Sequence, residues 1–202
     1  NDWSFLYNFH NLKELSVTIT PIFNIYFLTS FLFVAAFVFI NILNQNKKYK
    51  SPLDGENELL NVVSAFMPAI LLIAIYVTLK LEIDVYFDQL YLDSSISVTP
   101  ENQRAVVDYQ NEDLPLFKTI WGVNYSMLFL TVLSFFNMQK FKNKTLGQFN
   151  LGLNALALVT FLTIGLFALS ELRESYLDQT LAAYYPKGTF SIIIRYISYV
   201  FF

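Results

Sequence analysis

The sequence has no cysteine and a single histidine, His10, among its 202 residues. The lack of cysteine excludes disulfide bonds and thiolate-bound metals. One imidazole is a poor basis for a catalytic triad, and the sequence has no Walker loop, G-x-G-x-x-G fingerprint or H-E-x-x-H motif. We therefore predict no catalytic residues, no metal site, no cofactor and no nucleic-acid partner.

Charged residues are also scarce, at 14% of the chain against about 25% in an average soluble domain. The four longest stretches without Asp, Glu, Lys or Arg are residues 15–46, 59–79, 119–139 and 145–170. About 20 mostly apolar helical residues suffice to cross the bilayer. The alternative is a soluble bundle, but buried soluble helices are rarely this long without a charge. The sequence therefore predicts an all-α transmembrane bundle.

We place spans one to four at residues 22–43, 59–81, 119–138 and 149–169, and the start of a fifth near Phe190. Pro21 is expected in the first turn of span one, where its missing N–H is tolerated. Pro68 is expected to kink span two. That helix should continue past the membrane, because Ile83, Tyr86, Phe87, Leu90 and Tyr91 recur at helical spacing. Residues 94–99 fit either a short strand or an irregular loop.

The ends of the chain indicate a piece of a longer protein. The sequence begins with Asn1, and it ends at Val200-Phe201-Phe202 inside an apolar run. We treat residues 1–202 as one transmembrane fragment. The expected partners are the lipid bilayer and further spans of the same longer chain. Residues 1–15 are rich in aromatic side chains, which favours an interfacial helix over a soluble arm.

The distribution of lysine and arginine predicts the orientation. Three lysines lie between spans one and two and three more between spans three and four, whereas residues 82–117 hold eight acids. Because short cytoplasmic loops carry the excess of Lys and Arg, loops 44–58 and 139–148 should be cytoplasmic. Segments 1–20, 82–117 and 171–189 should lie outside. The outer segments lack an N-x-[ST] acceptor, which fits a bacterial cytoplasmic membrane.

Two parts of the chain resemble each other. Residues 44–50 resemble 137–144, and Tyr86, Asp88 and Gln89 recur 90 residues later as Tyr176, Asp178 and Gln179. This favours two-helix hairpin repeats at 16–92 and 115–182, with a third beginning near 187 and helices projecting on the outer face. Chance is the alternative, since topology alone demands basic inner loops.

A few polar residues in the spans are candidate binding residues. Arg195 lies about five residues into span five, where an intramembrane charge is a functional suspect by default. It either reaches the outer headgroups or binds an anion inside the bundle. Together with Asn24 and Asn124 it would line a polar pathway. The alternative for these and for Asn41, Asn61 and Asn154 is hydrogen bonding between helices.

Outside the spans, Asp84 and Asp88 are one helical turn apart, as are Glu174 and Asp178. Such pairs can share a divalent cation, but a solvated face is the favoured interpretation. Lys80 is expected to anchor span two at the interface. Gly152 and Gly165 would let a neighbouring helix approach span four closely.

The stretch from Asn150 to Leu177, Asn-Leu-Gly-Leu-Asn-Ala-Leu-Ala-Leu through Ser-Glu-Leu-Arg-Glu-Ser-Tyr-Leu, resembles a large family of bacterial multi-pass membrane proteins of unknown function. The family implies many spans but supplies no catalytic residues. Transport, or handling of lipids or envelope components, is the first functional hypothesis. A membrane scaffold acting through its outer helices and acidic segment is the second. An enzyme acting with outer acids on a lipid-linked substrate is the third.

Overall fold

The computed structural model describes residues 12–14, 18–45, 58–99, 106–179 and 181–202, with the side chains of 44–45 and 58–65 left out. Residues 12–14 are helical. The rest of the expected interfacial segment lies outside the described residues. So do residues 46–57 of the first basic loop, the side chain of Asn61, and Arg104. The elements are α1 (Ile25–Gln45), α2 (Glu58–Asp93), β1 (Ile96–Val98), β2 (Val107–Tyr109), α3 (Asp113–Phe136), α4 (Lys144–Thr160), α5 (Leu166–Asp178) and α6 (Phe190–Phe201).

Four helical segments are long and apolar enough to cross a membrane: Ile25–Leu43, Phe66–Asp93, Asp113–Phe141 and Lys144–Asp178. The last two include π-helical segments, Asn137–Phe141 after α3 and Phe161–Gly165 between α4 and α5. A mostly helical chain with four candidate spans is thereby confirmed. Helix α6 begins at Phe190 as expected, but it is a shorter apolar helix, and the fifth span stays a prediction.

The chain divides into two compact units, Asn1–Val85 and Tyr86–Phe202. In the first unit, α1 begins at Ile25, so the expected start at residue 22 and the place of Pro21 in the first turn are wrong. Ile22 has a left-handed φ of 66°, which a helix does not allow. Asn24 caps α1 instead, because its Oδ1 accepts a hydrogen bond of 2.6 Å from the Phe27 N–H.

Most side chains along α1 are exposed, and the larger ones are apolar. Four examples that are at least half exposed are Phe31, Leu32, Phe39 and Ile42. A continuous apolar surface of this kind is unfavourable in water but is suited to lipid, where helix backbones satisfy their own hydrogen bonds.

Helix α2 continues without interruption from Glu58 to Asp93, which confirms that the helix extends beyond residue 81. Its continuation past the membrane stays a prediction. Its 36 residues correspond to a length of roughly 54 Å, whereas the hydrocarbon core is about 30 Å thick. Beyond it, residues 94–99 contain a strand rather than an irregular loop. β1 pairs antiparallel with β2, with Ser97 opposite Asp108.

In the second unit a tight turn joins α3 to α4. Asn137 closes the turn, because its Nδ2 donates to the Asn143 carbonyl at 3.0 Å and its Oδ1 accepts from the Asn143 N–H at 3.1 Å. Lys142 adopts the left-handed conformation that ends the π-helical segment. Asn143 then caps α4 by accepting a hydrogen bond from the Leu146 N–H.

The hydrophobic core of the second unit lies where α3, the α4–α5 helix and α6 meet. Phe161, in the π-helical segment, packs against Tyr199 of α6 and against Phe202, the residue that follows α6; the ring centroids are 6.3 and 5.2 Å apart, respectively. The buried apolar residues of this core are Ile120, Met127, Phe161, Ala168, Leu169, Leu172 and Ile194. These contacts bring the start of α3, the end of α5 and the α5–α6 connection to one end of the unit.

Candidate functional site

We call that end of the second unit the cap, and define it as residues 86–99, 106–118, 170–179 and 181–189. It contains the end of α2, both strands, the start of α3, the end of α5 and the connection to α6. Charged and hydroxyl side chains that the sequence places far apart meet here. The cap is therefore the part of the second unit in which polar chemistry is concentrated.

A buried ion pair lies at the centre of the cap. Lys187 Nζ is 2.8 Å from Asp113 Oδ2, and the two side chains are only 6% and 9% exposed. The second carboxylate oxygen accepts a hydrogen bond of 2.6 Å from Ser175 Oγ. Asp113 is in the first turn of α3, where a negative charge also interacts favourably with the helix dipole. The group therefore joins three separate elements through one carboxylate.

Tyr185 links the segment between α5 and α6 to the two strands. Its hydroxyl lies 2.7 Å from the Ser94 carbonyl oxygen and 3.0 Å from that of Tyr109. Ser94 Oγ also accepts a hydrogen bond from the Asn111 N–H at 2.9 Å. Burial raises the pKa of Tyr185 above its usual value, and the negative charge of Glu112 raises it further. The phenol therefore stays protonated and able to donate over the whole physiological pH range.

Two further contacts close the network. Lys118 Nζ binds both carboxylate oxygens of Asp88, at 2.7 and 2.8 Å. The Tyr91 hydroxyl donates to Glu112 Oε1 at 3.0 Å. Three cap carboxylates, those of Asp88, Glu112 and Asp113, therefore already hold a cation or a hydroxyl. Such an arrangement stabilises a fixed shape more readily than it supplies a free general acid or base.

Two of the three predicted pathway residues lie in the second unit. Asn124 is 1% exposed, and its Nδ2 donates to Ser198 Oγ of α6 at 3.0 Å. Its Oδ1 is buried and has no hydrogen-bond partner among the described residues. Arg195, one turn before Ser198 in α6, reaches the Leu169 carbonyl oxygen at 3.5 Å. Asn124 therefore contacts α6 one turn after Arg195, whereas Arg195 itself contacts α5.

The third pathway residue, Asn24, belongs to the first unit. Besides capping α1, its Nδ2 lies 3.2 Å from Glu82 Oε2. The same oxygen accepts a hydrogen bond of 2.7 Å from the Ile22 N–H. Glu82 is 5% exposed, so this carboxylate is buried at the start of α1. Asn24 therefore has a structural role at a helix terminus.

The repeat-signature residues have different surroundings in the two copies. Tyr86, Asp88 and Gln89 lie inside α2, which continues to Asp93. Tyr176 and Asp178 form the last turn of α5, and Gln179 is its left-handed C-cap. Asp88 binds Lys118, whereas Asp178 is exposed. The repeat stays a prediction.

The other predicted polar residues have identifiable places. Asp84 forms an i,i+4 ion pair with Lys80 at 2.7 Å, so it and Asp88 bind different lysines. No group of three potential metal ligands occurs within the described ranges. Asn154 Nδ2 donates to the Asn150 carbonyl oxygen, and Asn150 Nδ2 donates to Ser134 Oγ at 2.6 Å across the α3–α4 pair. Asn41 is half-buried in α1.

Sequence reasoning missed the residues at the centre of the cap. Asp113 and Lys187 are 74 residues apart, and no local pattern connects them. Glu82 was counted only as one of the acids of the outer segment. The single available signal was that Asp113 precedes a long apolar run, which is typical of a helix N-terminus. The two glycines also differ from expectation: Gly152 has open space around it, and Gly165 faces Phe161 of its own helix.

No protein-family model, no curated protein and no solved structure matches this chain. Its function is therefore inferred from geometry.

Proposed function

We propose that the protein is a multi-pass membrane scaffold or assembly component whose cap binds a protein partner at the membrane surface. The observation that carries the proposal is the buried group of Asp113, Lys187 and Ser175, which ties the start of α3 to the end of α5 and to the following connection. A surface held in one conformation binds a partner with little loss of conformational entropy.

The exposed part of the cap has the composition of a contact surface. Val106 and Leu177 are 63% and 56% exposed, and Tyr184 is 48% exposed. The cap also carries five exposed acidic residues: Asp93, Asp108, Glu112, Glu174 and Asp178. A surface that presents both apolar and acidic side chains favours a partner that combines apolar and basic side chains.

The proposed setting is a bacterial cytoplasmic membrane with the cap outside and the lysine-rich turns in the cytoplasm. In this setting α2 and α5 project outward as parts of repeated two-helix hairpins. The length of α2, which exceeds the hydrocarbon thickness, supports the projection.

The test is site-specific photo-crosslinking in the native membrane. A photoreactive residue at Val106 or at Tyr184 should crosslink the same protein from both positions. The same photoreactive residue at Leu151, a 72% exposed apolar position of α4, should not crosslink that protein. Reversing the charge at Asp108 should reduce the crosslinked fraction several-fold. Equal trapping from Leu151, or no defined protein from either cap position, would argue against a scaffold.

Transport is the second candidate function, and one observation favours it. The side-chain oxygen of Asn124, Oδ1, is buried midway along α3 with no hydrogen-bond partner in the described chain, so a hydrogen-bond acceptor is left free among the apolar helices. Purified wild-type protein in liposomes should then transport a polar solute across the bilayer, and Asn124→Leu should abolish this transport. An enzyme is less well supported, because the carboxylates of Asp88, Glu112 and Asp113 are all occupied.

A further inference from the structure

Arg195 differs from the two lysines of the cap in how its charge is balanced. Lys118 and Lys187 each contact a carboxylate at 2.8 Å or less. The guanidinium of Arg195 has five N–H donors, yet within the described chain its one hydrogen bond is the 3.5 Å contact with the Leu169 carbonyl oxygen. That distance is at the outer limit of a hydrogen bond. Most of the donor capacity of Arg195 is therefore unused by the residues that the structure describes.

The depth of Arg195 along the helices is defined by its contact. Leu169 is next to Ser170, the last residue of the charge-free stretch 145–170, and Glu171 begins the charged part of α5. Arg195 therefore lies level with the boundary between the apolar helices and the cap. Its neighbour Tyr196 is 66% exposed, and tyrosine favours the depth of lipid headgroups.

We propose that Arg195 binds a phosphate group at this boundary, where α6 packs against α5. An arginine near hydrocarbon without a counterion is unfavourable, and a phosphate supplies both the negative charge and the paired oxygens that match a guanidinium. Arg195 is partly exposed, so a ligand can reach it. The phosphate belongs either to a phospholipid headgroup or to a free phosphate anion.

The site is independent of partner binding by the cap surface. Its test uses the full chain purified in a zwitterionic detergent. Binding of phosphatidylglycerol, of diacylglycerol with the same acyl chains, and of inorganic phosphate is measured by native mass spectrometry and by thermal shift. Wild-type protein should bind phosphatidylglycerol at least tenfold more tightly than diacylglycerol. If inorganic phosphate also stabilises the protein, the site binds a free anion. If inorganic phosphate does not stabilise the protein, the site binds the lipid headgroup.

The variants isolate the guanidinium. Arg195→Gln removes the charge but keeps a donor for the Leu169 carbonyl, and it should lose the tenfold preference. Arg195→Lys keeps the charge without the paired donors, so its preference should fall only several-fold. Arg173→Gln is the matched control, because Arg173 is an exposed arginine of the neighbouring helix.

Equal binding of the two lipids by wild-type protein, or an unchanged preference in Arg195→Gln, would overturn the proposal. The first comparison needs no variant and stands even if a substitution prevents folding.

Discussion

At the scale of single residues, the cap is held by polar side chains that have lost most of their contact with water. Asp113 and Lys187 are the clearest case, because each is less than a tenth exposed. A buried pair of this kind adds little net stability compared with an apolar pair, but removing one partner leaves an uncompensated charge. Single and double substitutions at these two positions should therefore have very different effects.

We predict that Lys187→Met destabilises the cap by about 3–5 kcal/mol, because the Asp113 carboxylate stays buried without its cation. The double substitution Asp113→Asn with Lys187→Met should recover most of this loss. The measurement is the thermal midpoint in detergent. Lys118→Met is the control, since the Lys118 side chain is 32% exposed and its loss should be much smaller. Additive effects in the double variant would contradict the buried-pair interpretation.

A second residue-scale prediction concerns alkaline pH. Burial raises the pKa of Tyr185 above the tyrosine value of about 10. The folded state therefore holds this proton more tightly than the unfolded state does. The resulting stabilisation is complete below pH 10 and is lost as pH rises through the folded pKa.

Tyr185→Phe removes both the hydroxyl contacts and this titration. Wild-type protein should be the more stable of the two at pH 8, and the gap between their thermal midpoints should shrink as pH is raised from 9.5 to 11. Circular dichroism melts across this range measure the gap. A constant gap would show that the Tyr185 hydroxyl does not titrate in the way we infer.

At the scale of elements, the packing of the α4–α5 helix on α6 depends on the π-helical segment. This segment places Phe161 between Tyr199 and Phe202 and leaves it 2% exposed. Gly165 lies under the same ring, and a Cβ at that position would be 2.9 Å from Phe161 Cδ2. The ring cannot move away without disturbing α6.

Gly165→Ala should therefore destabilise the bundle by about 1–3 kcal/mol through overpacking. Gly152→Ala is the matched control in the same helix, because nothing lies within 4 Å of the added methyl group. It should be neutral or stabilising by up to about 1 kcal/mol through helix propensity. Thermal midpoints of both variants test the difference. Equal midpoints would mean that the contact between Gly165 and Phe161 is loose.

Element positions were the part of the fold most accessible from sequence. Long stretches without charge predicted the spans because a bilayer excludes charge along a whole helix. Helix ends were less accessible: Pro21 suggested an earlier start for α1, whereas the cap formed by Asn24 sets it at Ile25. The partner strand β2 was missed because three residues are too few to show alternation. The contacts of Asp113 and Tyr185 were missed because they depend on tertiary packing.

At the scale of the whole molecule, the main open prediction is orientation. The predicted arrangement puts the cap and the lysine-rich α3–α4 turn on opposite sides of the membrane. α3 with its π-helical extension, Asp113–Phe141, lies between them and spans 29 residues. At 1.5 Å per residue this length is roughly 43 Å, which exceeds the hydrocarbon thickness of about 30 Å. The two ends can therefore be reached separately by a reagent that does not cross the bilayer.

The natural lack of cysteine makes this test direct. Ser95 in the cap and Lys144 at the start of α4 are both exposed, so a single cysteine at either position should leave the fold intact. Asn143 is less suitable, because its side chain caps α4.

In intact cells, an impermeant maleimide should label Ser95→Cys and should label Lys144→Cys only after the membrane is permeabilised. Labelling of Lys144→Cys alone would reverse the orientation and place the cap in the cytoplasm. Labelling of both positions in intact cells would mean that this segment does not cross the membrane.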